Sequence, residues 1–371
     1  MKYVFLLFFL STNVVLVQGK LEKSLSTISL ESVLQLKAAG VVYYSDFGAR
    51  GDGKTDDMKA IAAAHSFANK HELLVRADGE ATYYIGGREC TAIIQTDTDF
   101  GTASFIIDDT EVENNNAAVF LVKSSLKAYK LEGITSLKRN QEKIDILLPQ
   151  SSLITVTNSN EMQYIRFGLN PTKGSPKTDI FLVDKAGNVA SNAPIIWDFD
   201  EITKITELPI DEKMLKITGG SFTTIANQEE SKYNYYSRNI SVKRSNVIVD
   251  GLEHHVVGEG DHGAPYSGFV NISNCAFVTV KNTVFTGHKT YQTIGRADKA
   301  VSMGTYDISV NRAVNVSFVN CTQTNDINDK EYWGIMGSNY SKNLLFNTCT
   351  LSRFDAHMGV ANATIRNSTL G

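Results

Sequence analysis

No stretch of this 371-residue chain carries a long block of one charge sign: 36 basic and 40 acidic residues are mixed along it, for a formal charge of −4. Neither nucleic acid nor an anionic membrane surface is offered a basic stripe, and neither is expected as a partner. Beyond the N-terminus no apolar run is long enough to span a bilayer. Cysteine is scarce, four residues without Cys-x-x-Cys spacing, which excludes the usual structural zinc pattern. Phosphate-loop spacings are missing too, since "GARGDGKTDD" fits neither GxGxxG nor GxxxxGK[ST]. The same stretch lacks the alternating acids and closing glutamate of an EF-hand loop. Turn dipeptides at the roughly 8–12-residue spacing of a β-sandwich are sparse. What remains is a globular chain with 42% hydrophobic residues, enough for a sizeable core.

The N-terminus, "MKYVFLLFFLSTNVVLVQGK", reads as a secretory signal peptide over residues 1–19, cut after Gly19. Ser11, Thr12 and Asn13 interrupt the apolar run, which argues against a membrane anchor. A secreted or periplasmic protein is therefore expected, with no membrane contact after cleavage. That compartment permits disulfides. Cys275, Cys321 and Cys349 nevertheless recur in similar contexts, "ISNCAF", "FVNCTQ" and "FNTCTL", and are read as small buried residues of a repeat.

The stretch "VVYYSDFGARGDGKTDD" reads as a strand, a glycine turn and a helix start, with Thr55, Asp56 and Asp57 capping "MKAIAAAHSFANK". Ile61, Ala64 and Ala68 fall at helical spacing, and "ELLVRADGEATYYIGG" reads as two short strands. This segment resembles the N-terminus of the pectate lyase-like superfamily, which includes polygalacturonases, rhamnogalacturonases, polysaccharide lyases and phage tailspikes. The resemblance implies a right-handed parallel β-helix whose N-terminal end is capped by the helix. One departure is "RADGEA", standing where the family carries a proline-glycine turn.

Periodicity gives a second line to the same fold. Segments from Met214, Asn246, Phe277, Asn315, Asn343 and Ala363 each alternate apolar or β-branched residues and end on a small polar corner. Taking Asp250, Asn282, Asn320, Thr348 and Asn367 as corners gives spacings of 32, 38, 28 and 19 residues, coil lengths of a solenoid with unequal loops. Several Asn-x-Ser/Thr sequons, for example at Asn271, Asn315 and Asn339, are read as corner asparagines before glycan sites. Residues 111–210 differ, with hairpin turns at "NPTKGSP" and "DKAGN", and read as an antiparallel β insertion.

The expected fold is all-β: a right-handed parallel β-helix with an N-terminal capping helix and a small antiparallel insertion. Its divisions are a signal peptide (1–19), a cap with first coils (20–110), the insertion (111–210) and the main coils (211–371). These coils should continue past the last residue, because an uncovered solenoid end invites association, including self-association into a homo-oligomer.

Stacked coils bring equal offsets within ~5 Å of each other. Counting from the corners places His255, His288, Asp326 and Asp355 on one face. Acids, histidines and aromatic platforms on one face suit glycan cleavage, so a polysaccharide is the expected partner. For hydrolysis the expected carboxylate pair is Asp326 and Asp355, with Glu331 or Asp261 in reserve. For β-elimination of a uronate, His288, Lys289 or Tyr291 serves as base and Arg296 or Arg353 neutralises the carboxylate. His357 joins the catalytic candidates, and Tyr266 and Trp333 the sugar-binding ones. Neither route requires a cofactor or a resident metal, although Ca²⁺ can aid elimination. "TND" at Thr324–Asp326 and "GHK" at Gly287–Lys289 stand in the wrong order for a polygalacturonase, and its "DD" and "RIK" partners are missing. Hydrolysis is placed slightly ahead of elimination, with a non-catalytic glycan-binding or tailspike-like role as the alternative.

Overall fold

A computed structural model describes residues 29–230, 234–260 and 264–371; the expected signal peptide and Asp261 lie outside them. The chain winds into a right-handed parallel β-helix with three faces. Face A stacks Ala92, Phe120, Ile240, Val270, Ile308, Met336 and Phe354 in one inward column. Face B stacks Ile217, Val249, Val280, Phe318 and Phe346. On face C the column is Tyr83, Phe105, Phe222 and His254, with the Phe105 and Phe222 rings stacked at 4.7 Å. Strand alternation explains the columns: every second side chain points inward, and the parallel register repeats that choice coil after coil.

The corners also follow from the sequence. Asn282, Asn320, Thr348 and Asn367 all have left-handed φ, between 50° and 59°. Asparagine tolerates that region, and its amide spans the rise to the next coil. Asn320 Nδ2 donates to Asn282 Oδ1, and Asn282 Nδ2 to Asp250 Oδ1, both at 2.8 Å. Register pairs Asp250 with Lys281, however, so the true first corner is Gly251 (φ 74°), one residue later than the spacing suggests. A second ladder joins Asn315, Asn343 and Asn362. Of the sequon asparagines named above, Asn315 is a corner, whereas Asn271 and Asn339 lie within face A strands.

Helix α1 (Leu30–Ala39) starts at Ser29, whose hydroxyl accepts the Ser32 N–H, and ends at Gly40. Helix α2 (Met58–His71) buries Met58, Ile61, Ala62, Ala64, Phe67 and Ala68 against the first coils. The aspartates before it are architectural: Asp57 accepts the N–H groups of Arg50 and Gly51, Asp56 that of Met58, and Asp52 those of Lys54 and Thr55. "DGKTD" is itself a short strand paired with Thr82–Ile85.

The insertion is a four-stranded antiparallel sheet built from Tyr129–Lys130, Ser152–Gln163, Ser175–Val183 and Lys204–Pro209. It has its own core around Ile154, Val156, Phe181 and Phe199, while Phe120–Lys123 before it belongs to face A. Leu153, Ile180, Leu182 and Ile210 seat it on Ala276 and Val314 of the solenoid. A buried pair locks the seat: Lys342 Nζ lies 2.7 Å from Asp179, with both side chains 1% exposed. Asp179 also accepts the N–H groups of Ile180 and Ile196, so the pair is bonded as burial requires.

Candidate functional site

The outward residues of face A build an open polar cluster beside the insertion. Strand Phe354–Met358 lies against Met336–Asn339, with Asp355 opposite Gly337. The register slips after Ser338, leaving His357 as an extra residue, and such a bulge re-aims a side chain. Tyr306, just before the neighbouring strand, places its hydroxyl 2.8 Å from Asp355 Oδ2 and 2.8 Å from His357 Nε2. Arg353 grips Asp355 with both arms, Nε at 2.8 Å and Nη2 at 2.9 Å, and its guanidinium lies 4.4 Å from the Trp333 ring centre. The Asp355 and His357 side chains remain 19% and 32% exposed, so a polymer can reach them.

Three glycines clear the floor. A Cβ on Gly337 would come within 2.7 Å of the Tyr306 ring, one on Gly304 within 2.3 Å of Trp333, and one on Gly334 within 3.0 Å of Arg353 Nε. None has a left-handed φ; they are there for space. The insertion forms a wall. Its hairpin tip meets a second hairpin, Tyr291–Ile294 with Ala300–Met303, through a bond from Ala297 N–H to the Leu169 carbonyl. Nearer the floor, Tyr164 packs edge-on against Tyr340 at 6.1 Å, and Ser175 Oγ lies 3.3 Å from Met358 Sδ.

The protonation states follow from these neighbours. Burial, reinforced by the Asp355 carboxylate, raises the Tyr306 phenol above its ordinary value, so it stays protonated. Burial lowers His357; Asp355 opposes this, while the Arg166 and Arg353 cations add to it. A neutral His357 results near pH 7. With Tyr306 donating to Asp355, His357 donates its Nε2–H to the phenol oxygen, which leaves Nδ1 carrying the lone pair.

A second cluster lies inside the solenoid. Asp307, fully buried, accepts from His254 Nδ1 (2.8 Å), His288 Nε2 (3.0 Å) and Thr286 N–H (2.9 Å). His254 stacks on Phe269 at 3.9 Å and reaches Thr224 Oγ1 at 3.0 Å. On its other side His288 faces Glu259 at 3.5 Å, and Glu259 accepts the Lys289 N–H. Burial opposes charge on His288, but the two carboxylates outweigh it and hold its pKa up at about 9. For His254 burial wins and the pKa falls, Asp307 notwithstanding. Asp307 is held well below the usual carboxylate range because the two histidines outweigh its burial. This network ties the long corners around residues 259, 286–289 and 307 to one another, and it is closed to solvent.

The expected residues divide between these places. Asp355, His357, Arg353 and Trp333 meet in the open cluster. His288 belongs to the closed one, and Tyr266 packs on it at 5.2 Å while its hydroxyl accepts the Asn227 N–H. Asp326 is exposed and caps a turn by accepting the Asn328 N–H; Glu331 is exposed in the same loop, its carbonyl accepting from Thr290. Among the described residues neither is bonded to Asp355. Lys289 Nζ donates to the Gly260 carbonyl, and Tyr291 is buried in its hairpin. Arg296 sits at that hairpin's tip, its N–H donating to Asn170 Oδ1. His255 pairs with Glu253 at the surface. Tyr306, Asp307 and Arg166 escape the sequence reading; the first two open "YDISV", whose alignment with "SRFDA" at the start of a face A strand is the signal that finds them. Among the described residues, no group of three His, Cys, Asp or Glu side chains is arranged to hold a metal ion.

No family model matches the chain, and no curated protein matches it. Solved structures similar to it include the surface adhesin PfbA of Streptococcus pneumoniae, at 14% identity and TM-score 0.47 over 89% of this chain. Another is the tailspike gp61 of Pseudomonas phage phi297, at 11% identity and TM-score 0.46, covering 90% of this chain and 74% of that one. A third is the tailspike gp54 of Acinetobacter baumannii phage AP22 in complex with a capsular saccharide, at 10% identity and TM-score 0.40, covering 92% and 60%. The chain spans 62% of the adhesin's length. The likeness is one of architecture, and the registers above define that architecture directly: a right-handed parallel β-helix, the fold that the N-terminal resemblance implies.

Proposed function

We propose that the cleft around Tyr306, Asp355 and His357 binds an acidic polysaccharide and cleaves it by β-elimination. The observation that carries this reading is the Tyr306–His357 hydrogen bond, held in place by an Asp355 already gripped by Arg353. Elimination from a uronate needs a base for the C5 proton, an acid for the leaving O4 and a cation for the carboxylate. His357 Nδ1 supplies the base. Tyr306 protonates the leaving oxygen and is resupplied from His357 Nε2, so the C5 proton taken by His357 balances the proton delivered. Arg166, whose charge reaches His357, is assigned to the sugar carboxylate. Trp333 offers a ring to a sugar, with Arg353 fixing its plane.

Sequence alone places hydrolysis first. Hydrolysis uses two carboxylates roughly 5–10 Å apart, one free to act as acid. The open cluster offers one carboxylate, bound on both oxygens, and this tips the balance to elimination. With Arg166 meeting the carboxylate in place of a divalent cation, a chelator should leave the rate unchanged. The N-terminal segment fits export, which puts the polymer outside the cytoplasm.

The test is a screen of the purified chain against acidic and neutral polysaccharides, reading both new reducing ends and the ultraviolet absorbance of unsaturated uronates. Absorbance rising with reducing ends supports elimination. Reducing ends alone overturn it in favour of hydrolysis and direct attention to Asp326 and Glu331. Silence on every polymer, with retention on a polysaccharide gel, leaves glycan binding as the function.

A further inference from the structure

The four cysteines are free thiols in the structure, and two of them are stacked. Face B pairs Phe318 with Phe346 and Val319 with Asn347, and the register continues through Asn320 and Thr348 to Cys321 and Cys349. Bonds on either side of the cysteines fix that pairing, Asn320 N–H to the Asn347 carbonyl (3.0 Å) and Thr350 N–H to the Cys321 carbonyl (2.9 Å). Neighbouring strands lie ~4.8 Å apart, inside the ~4.4–6.8 Å Cα range of a disulfide. Both side chains point inward and are 0% and 1% exposed. Cys349 leans back toward the Cys321 coil, its Sγ 3.4 Å from the Phe318 carbonyl. Cys275, by contrast, stands opposite Ala313, and Cys90 packs beside Met58 on the capping helix.

We propose that Cys321 and Cys349 form a disulfide as the chain folds in an oxidising compartment, by exchange with a small-molecule disulfide such as oxidised glutathione. One cysteine thiolate attacks the small disulfide, giving a mixed disulfide and releasing one small thiolate. The second cysteine thiolate then attacks the mixed disulfide, closing the Cys321–Cys349 bond and releasing the other. Two protein thiols are oxidised and one small disulfide is reduced to two thiols, so atoms and electrons balance. The bond would staple the coil that carries Trp333 and Gly337, the aromatic platform and part of the floor of the open cluster. It stands on the register alone, independent of what the cleft does.

The test is to refold the full chain in a glutathione buffer, block free thiols, and map peptides without reduction. The expected result is a Cys321–Cys349 linked peptide, lighter by two hydrogens than its parts, with free thiols falling from four to two. Cys321→Ala should then show three free thiols and no link. Reduction should lower the Tm of the wild type by about 5 °C and leave that of Cys321→Ala unmoved. Four free thiols in protein refolded with oxidised glutathione would overturn the proposal, as would a link through Cys90 or Cys275.

Discussion

Tyr306 and Asp307 are consecutive residues that serve two clusters of like composition with opposite fates. Each cluster sets an aspartate between partners that include a histidine. Asp307 faces inward between His254 and His288, with every partner buried. Asp355 meets Tyr306, Arg353 and His357 at the surface. Burial turns the first into a strut, because a charge removed from water holds its partners as firmly as they hold it. Exposure leaves the second free to exchange its bonds for those of a ligand. Residue type alone therefore does not mark a functional site in a solenoid; the face a side chain points to does.

The largest expected effect separates the clusters by their failure. Asp307→Asn leaves the buried, charged His288 with Glu259 as its one remaining carboxylate and removes the charged acceptor of His254, and should cost about 3–5 kcal/mol of stability, read as a lower midpoint in urea. Asp355→Asn breaks a surface pair worth about 1 kcal/mol or less, so its midpoint should barely move. Its glycan-cleaving rate should fall about 100-fold. Equal midpoints for the two variants would erase the distinction.

Next in size, Tyr306→Phe keeps the ring seated over Gly337 and removes only the hydroxyl. Turnover should fall about 100-fold with KM little changed, the mark of a group used in the transition state. Gly337→Ala pushes on that ring without touching its chemistry, and a loss of about tenfold in kcat/KM is expected from misplacement.

The smallest effect is a pH dependence of stability. The folded pKa of His288, about 9, lies above its ordinary 6.5. Its contribution is thus complete below pH 6.5 and is lost as the pH rises toward 9. His254 has the opposite sign: its folded value is depressed, so it weakens the fold as the pH falls through 6.5. Thermal melts from pH 6 to 9 should show the alkaline decline in the wild type and a flatter line in His288→Gln.

Much of the fold was legible because solenoid physics is local and repeated. Left-handed corners select asparagine at 282, 320 and 367, and alternating valines at 247, 249, 278 and 280 announce inward columns. Register was less legible, since one misplaced residue at Asp250 is enough to turn a strand over. The site was legible in part: Asp355, His357 and Arg353 lie within five residues and share a face. Tyr306 stands 49 residues from Asp355 in sequence, and the unequal corners between them hide that they meet. His288 looked like a candidate because the sequence records its type and not its burial, which depends on Asp307 and Glu259 arriving from two other corners.

The most direct measurement is the initial rate of unsaturated uronate formation by His357→Gln on the acidic polysaccharide that the wild type cleaves, with its thermal melt taken alongside. A rate about 100-fold lower with a Tm little changed is predicted, because the proposed mechanism makes His357 the base and its side chain is a third exposed. A rate equal to that of the wild type would contradict the account and remove the open cluster from the chemistry.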